Sequence, residues 1–314
     1  MSRETDFIAA LRALATHPGA RGLLDDAAVL EVGGARLVLT HDMLVAGVHY
    51  LPDDPPQDVA WKLVAANVSD LAAKGARPVG ALLGYSLSAD GAWDTAFASG
   101  LGTALGAFGI ALLGGDTVSA PAGTPRSLGL TAIGEAPPVV PSRAGAKEGD
   151  HLWVSGAIGD AGAGLRVLRG ELPASDALIE RYRNPRPRLE AGQRLAALVS
   201  AMMDVSDGLL IDAARMAEAS GARIRLDLSL IPLSAAFLAA LGDGRHARLA
   251  AAASGDDYEL LFTAAPERAP EILALAEELG LPLTRIGSLG PGSGLALLDR
   301  GSPVPLPARL GWEH

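Results

Sequence analysis

Cysteine is absent from the 314-residue chain. Its absence excludes disulfides, thiolate metal sites and cysteine nucleophiles together. Lysine occurs only as Lys62, Lys74 and Lys147, while arginine is plentiful; that bias reflects genome composition rather than chemistry. A net charge of −10 argues against the basic face that nucleic-acid binding needs. No apolar stretch approaches the roughly 20 residues of a bilayer span, so no membrane partner is expected. The opening MSRETDFIAALRAL lacks the basic region and apolar core of a secretory signal. It predicts an amphipathic helix capped by Thr5 or Asp6, in a cytoplasmic protein. Common nucleotide signatures are missing as well. There is no G-x-x-x-x-G-K-[ST] loop and no G-x-G-x-x-G after a strand, no HRD or DFG set and no G-x-S-x-G elbow.

What is present is a folded globular composition, 49% apolar and 20% charged, with length enough for two domains. The first part alternates in type. Strands are expected at 35–44, 79–88, 110–118 and 127–136, and helices at 58–76 and 93–109, the former with apolar Trp61, Val64, Val68 and Leu71 at helical spacing. The Pro-rich stretch APPVVPSRAGAKEGD, 136–150, has no periodicity and marks a boundary between domains 1–137 and 138–314. Beyond it, strands are expected at 151–156 and 202–206 and within ARIRLDLSLI, YELLFTA and LPLTRIGSLG. Helices are expected at 186–201, 206–221 and 266–280. The last but one opens on a cap residue at Ser206 or Asp207 and closes on a glycine. The fold class is mixed α/β. The glycine-rich GDAGAGL is compatible with a phosphate cradle at a helix start, but small-residue packing is the simpler reading.

The segment GLLDDAAVLEV sets Asp25 and Asp26 in an apolar run. Carboxylates leaving water must be paired, hydrogen-bonded or metal-bound. Similar stations recur at Asp42, Asp70, Asp116, Asp204 with Asp207, and Asp256 with Asp257, most with Ser, Thr or Gly beside them. Singly, each has an ordinary explanation as a cap, a turn or an exposed helix position. Six in one chain predict that at least four converge. Aspartates without cysteine favour hard cations, and Mg²⁺ in particular bridges carboxylates to substrate phosphates. Thr40 and Ser206 can add hydroxyl ligands. The six histidines form no H-x-x-x-H pattern, which argues against zinc. The Asp25–Asp26 pair is thus expected to bind metal.

LDDAAVL, THDMLVAGVHY, AANVSDLAAKGARP, GGDT, DVSDGLLID and SGDDYELLFT, with LGWEH at the end, resemble in order and spacing the thiamine-monophosphate kinase family, of the aminoimidazole ribonucleotide synthetase superfamily. The resemblance covers nearly the whole chain. It implies an N-terminal domain for ATP and metal binding, whose sheet forms a dimer barrel with a second subunit, and a C-terminal α/β domain. It also implies a homodimer that transfers the γ-phosphoryl group of ATP to thiamine monophosphate with several Mg²⁺ ions.

By motif, the resemblance places metal ligands at Asp26, Thr40, His41, Asp42, Asp70, Asp116, Asp204 and Asp207, with Asp70 and Asp207 catalytic. It places ATP contacts at Gly115, Asp116, Arg143 and Ser206, and the substrate at His49, Asp256 and Trp312. Leu24 departs from a family glycine and His41 from a family Thr or Ser. Within the superfamily, aminoimidazole ribonucleotide synthetase is the nearest alternative; the selenophosphate and hydrogenase-maturation members rely on a cysteine that this chain lacks. A non-catalytic, metal-dependent nucleotide-binding module is the alternative of a different class.

Overall fold

The computed structural model describes residues 3–87, 90–121 and 123–313, with backbone alone for 3–5. Its first half contains α1 (Arg3–Arg12), β1 (Ala28–Val32), β2 (Ala35–Val45), α2 (Pro56–Ala73), β3 (Arg77–Leu87), α3 (Gly91–Phe108), β4 (Ala111–Ser119) and β5 (Ser127–Glu135). The second half contains β6 (His151–Ser155), α4 (Asp160–Leu168), α5 (Asp176–Arg183), α6 (Leu189–Leu195), β7 (Ala201–Val205), α7 (Leu209–Ser220), β8 (Arg223–Asp227), α8 (Ala235–Leu241) and α9 (Arg245–Ala252). After these come β9 (Glu259–Ala264), α10 (Ala269–Leu279), β10 (Leu283–Gly290), β11 (Gly294–Asp299) and β12 (Ser302–Val304).

Two sheets organise these elements. The first runs β1-β2-β5-β3-β4 and the second β12-β11-β8-β10-β6-β9-β7. The second is covered on both faces. Leu152, Val154, Met203 and Leu261 pack toward one core, while Trp153, Met202, Leu260 and Phe262 pack toward another that includes Ala72 and Ala73 of α2. Strand alternation therefore sends successive residues to opposite layers. The first sheet buries one face, with Val38, Leu128, Leu130 and Ala132 against α2 and α3. Its last strand, β4, is exposed at every position.

Helix α2 is shared between the halves, since Val64, Val68 and Leu71 face the first sheet's core and Ala72 and Ala73 the second's. α6 comes so near that a Cβ at Gly192 would lie 2.0 Å from the Ala72 carbonyl oxygen, so only glycine fits there.

Several details differ from the sequence expectation. Thr5 and Asp6 lie inside α1 rather than capping it. The helix expected over 186–201 shortens to α6, because Ser200 N–H donates to Thr263 O at 2.7 Å and joins the sheet. Gly208, not Ser206 or Asp207, precedes α7, at φ 130. The α4 N-terminus is filled from within the chain: the Asp257 carboxylate accepts from Gly159 N at 2.8 Å. GDAGAGL thus packs rather than cradling phosphate, and burial pushes Asp257 well above the usual carboxylate range.

Candidate active site

β1 pairs with β2 only as far as Leu39, and the chain preceding β1 carries Asp25 and Asp26 past the strand's uncovered end. Thr40 and Asp42 lie there on β2. The last turn of α2 supplies Ser69 and Asp70, β7 supplies Asp204, and the turn after it Asp207. A cleft of about 340 Å³ opens here, with Asp26, Thr40, Asp42 and Asp70 among its lining residues. One oxygen each of Asp26, Asp70 and Asp204 lie within 4.8 Å of one another.

Alternation along each strand explains the aim of these groups. Thr40 is buried while its neighbour His41 is exposed. Asp204 shares the face of Met202 that meets α2, where Ser69 Oγ donates to its Oδ2 at 2.7 Å. Thr40 Oγ1 donates to Asp70 Oδ2. Asn67 Oδ1 accepts the Asp42 N–H at 3.0 Å, fixing that stretch of β2 to α2. Burial, then the charges of Asp42, Asp204 and Asp26, pushes Asp70 well above the usual carboxylate range. Burial and then Asp26 do the same to Asp204. Asp42 is pushed up to about 6 by burial, then by Asp207 and Asp26. These carboxyls repel one another in a desolvated place, which a cation relieves.

The Asp25–Asp26 pair divides. Asp25 is bound by Lys74 and by Arg21 at 2.6 Å. Against the cost of burial, Lys74 and then Arg21 hold it down at about 2. The expectation that both acids bind metal is therefore corrected: Asp25 is occupied by cations of the chain itself. Asp26 faces the cluster. Arg143 binds its Oδ1 through Nε at 2.8 Å, and Lys74 Nζ pairs with its buried Oδ2 at 2.5 Å. Leu24 sits at φ −116, open to any residue, so the family's glycine is not required there.

The turn after β7 joins this cluster to the expected substrate residues. Ser206, Asp207 and Gly208 each donate a backbone N–H to Asp212 Oδ2 at 3.2 Å, and Arg215 binds Asp207 at 2.5 Å. Asp212 itself is pushed up to about 6 by burial, with Arg215 opposing. Ser206 O accepts the Asp256 N–H at 2.7 Å, and Asp207 O the Trp312 N–H at 2.9 Å. Asp256 and Tyr258 adopt φ 68 and 51, unusual for side-chain-bearing residues and a form of strain concentrated at functional sites. Lys62 Nζ donates to Asp256 Oδ2 at 2.8 Å and to His49 O at 3.0 Å. Trp312 is half exposed.

The His41 imidazole bonds Thr131 Oγ1 at 2.9 Å and lines the same cleft as Asp26, Asp42 and Asp70, outside the trio of Asp26, Asp70 and Asp204. Two other expected residues stand apart. Gly115 and Asp116 lie on β4. The register Asp42–Leu130, Leu130–Leu83 and Leu83–Gly115 puts three strand spacings, roughly 14 Å, between them and Asp42. Lys62, Ser69, Lys74, Asp212 and Arg215 went unassigned from sequence. The rarity of lysine was the one signal available for two of them.

The fit to Mg²⁺ is good. An octahedral shell at about 2.1 Å holds its oxygens roughly 3–4 Å apart, a spacing that the three clustered carboxylates can adopt. The chemistry of the set is all oxygen, and burial together with neighbouring carboxylates pushes Asp70 and Asp204 well above the usual carboxylate range.

Two family models match the chain: the AIR synthase related protein N-terminal domain over residues 24–136 and its C-terminal domain over 147–300. Fold and site together define the class, a two-domain AIR synthase-related enzyme. The thiamine-monophosphate kinase of Caulobacter vibrioides is 41% identical over 99% of this chain and 90% of its own length. The crystal structure of the Stenotrophomonas maltophilia K279a thiamine-monophosphate kinase matches 95% of this chain and 96% of that one at TM-score 0.77 and 38% identity. AaThiL complexed with AMPPCP and TMP matches 99% and 96% at TM-score 0.86 and 30% identity. The chain belongs to the thiamine-monophosphate kinase family. No helix among the described residues is long and apolar enough to cross a membrane.

Proposed function

We propose that this enzyme transfers the γ-phosphoryl group of ATP to the phosphate of thiamine monophosphate, giving thiamine diphosphate and ADP, by direct in-line displacement. The observation that carries the reading is the clustering of Asp26, Asp42, Asp70 and Asp204, with one oxygen each of Asp26, Asp70 and Asp204 within 4.8 Å and Asp207 near enough to Asp42 to push its carboxyl up. The attacking group is an ionised phosphate oxygen and needs no strong base. The obstacle is the approach of two polyanions, so positioning and charge neutralisation carry the rate. Several Mg²⁺ ions, when bound, neutralise the phosphates and orient them. Asp26, Asp42, Asp70, Asp204 and Asp207 would hold them, with Thr40 orienting Asp70. Asp70 and Asp207, which both interact with Asp42, are assigned the catalytic positions. Arg143 and Ser206 are assigned to ATP, and His49, Asp256 and Trp312 to thiamine monophosphate, whose cationic thiazolium ring suits an aromatic face.

Gly115 and Asp116 reach such a site only from another subunit. β4 leaves an uncovered edge with Leu112, Leu113 and Val118 exposed, and exposed edges are normally paired or blocked. A two-fold homodimer closing the first sheets into a barrel covers that edge and carries Asp116 toward the partner's carboxylates. A monomeric mass by light scattering at micromolar concentration contradicts this arrangement. The activity itself is tested by incubating the enzyme with ATP and Mg²⁺ against thiamine, thiamine monophosphate and formylglycinamidine ribonucleotide. ADP release is expected with thiamine monophosphate alone, and ADP release that ignores all three overturns the assignment.

A further inference from the structure

Lys74 is one of three lysines and is fully buried. Its ammonium group meets three oxygens: Asp25 Oδ1, Asp26 Oδ2 at 2.5 Å and the Met202 carbonyl at 3.2 Å. An ammonium held in this way among carboxylates does what a metal ion does: it neutralises two acids that could not share the space bare. We propose that Lys74 is a resident cation of the active site, standing where an additional divalent ion would otherwise bind between Asp25 and Asp26, so that the chain needs one metal fewer at this corner.

The geometry favours this over a purely structural ion pair. A pair that served only to tie α2 to the loop before β1 would need Asp25 alone, and Arg21 already accompanies that acid at 2.6 Å. Lys74 instead spans both acids, and the second of them, Asp26, shares its opening with Asp70 and Asp204. Lys74 is also the residue that ends α2, with its backbone N–H donating to Asp70 O at 3.1 Å. The same helix end thus carries the fixed cation and the carboxylate that faces the cluster. Four cations of the chain, Lys74, Arg21, Arg143 and Arg215, accompany Asp25, Asp26, Asp207 and Asp212. No ion pair among the described residues reaches Asp42, Asp70 or Asp204. The division leaves those three wholly to exchangeable ions, to which Asp26 and Asp207 contribute beside their own cationic partners, and gives the Asp25 corner a permanent one.

The inference rests on the metal reading above, and one experiment separates the two. Mn²⁺ bound per chain is counted by electron paramagnetic resonance with AMPPCP present, for the wild type, Lys74→Met, Lys74→Gln and Lys74→Arg. Thermal melts with and without Mg²⁺ accompany each count. Lys74→Met and Lys74→Gln are expected to bind one more Mn²⁺ than the wild type and to gain more in melting temperature from Mg²⁺. Should either require Mg²⁺ to fold where the wild type does not, that dependence is the same result. Lys74→Arg keeps the wild-type count. A wild-type count and a wild-type Mg²⁺ response in both neutral variants overturn the resident cation while leaving the metal reading intact. No bound Mn²⁺ in any of the proteins overturns both.

Discussion

Against burial, Lys74 and Arg21 hold Asp25 down at about 2, while Asp70, in the same cleft, is pushed well above the usual range by burial and by three neighbouring carboxylates. Both acids lie beside apolar segments and both are withdrawn from water. The difference is the company the fold gives them. Where the chain supplies the countercharge, the carboxylate is part of the framework, and losing its partner leaves an uncompensated buried charge. Where the chain withholds it, repulsion is left for a ligand to relieve, and binding energy is reserved for that ligand. A single site thus contains a finished half and an unfinished half.

The sharpest way to break this comparison is to neutralise the unfinished half. Asp70→Asn is expected to lower kcat by about a thousandfold or more, roughly 4 kcal/mol of transition-state stabilisation, without lowering the melting temperature of the metal-free protein. Wild-type turnover in that variant, or full activity in excess chelator, ends the metal-cluster reading. The finished half should respond the other way. Asp25→Asn is expected to cost about 2–4 kcal/mol of stability, read by denaturant titration, while Mn²⁺ binding at the cluster changes little.

The two halves also differ in their response to pH. Asp42, pushed up to about 6, retains a proton between the unfolded carboxylate value and about pH 6 that the unfolded chain has lost. Stability of the metal-free protein therefore falls as pH rises from about 4 to 6. Asp25 acts oppositely: its contribution is present above the unfolded value and is lost as pH falls toward 2. Melting temperatures without metal should peak near pH 4–5, and saturating Mg²⁺ should flatten the fall between 5 and 7. A metal-free profile that rises from pH 5 to 7 contradicts the assignment.

The smallest effect sharpens the comparison from outside it. Trp312 hangs from Asp207 by a backbone bond, so Trp312→Ala should leave both charge sets in place. KM for thiamine monophosphate is expected to rise about five- to hundredfold, equivalent to 1–3 kcal/mol. KM for ATP and the melting temperature should stay near wild type. Equal losses for both substrates refute the ring's role.

Much of this was legible in the chain. The helical spacing of Trp61, Val64, Val68 and Leu71 marked α2, and three of the four are buried. Its other buried side, Ala65, Ala66, Ala72 and Ala73, was invisible, because alanine is weakly apolar and leaves little periodic trace. The strands 35–44, 79–88, 110–118 and 127–136 were found within a residue or two of their observed ends. Helices α5, α8 and α9, only seven or eight residues long, gave no periodic run long enough to read.

The acidic stations, the absence of thiols and the order of the family motifs are local properties, and the sequence alone determined them. Which acids would be matched was decided only by the tertiary structure. Lys74 reaches Asp25 across 49 residues, Arg143 reaches Asp26 across 117, and Ser69 reaches Asp204 across 135. No spacing rule spans such separations. Coulomb interaction and desolvation act through space, so the charge of each carboxylate is set by neighbours that only the packing of α2 between the two sheets brings near.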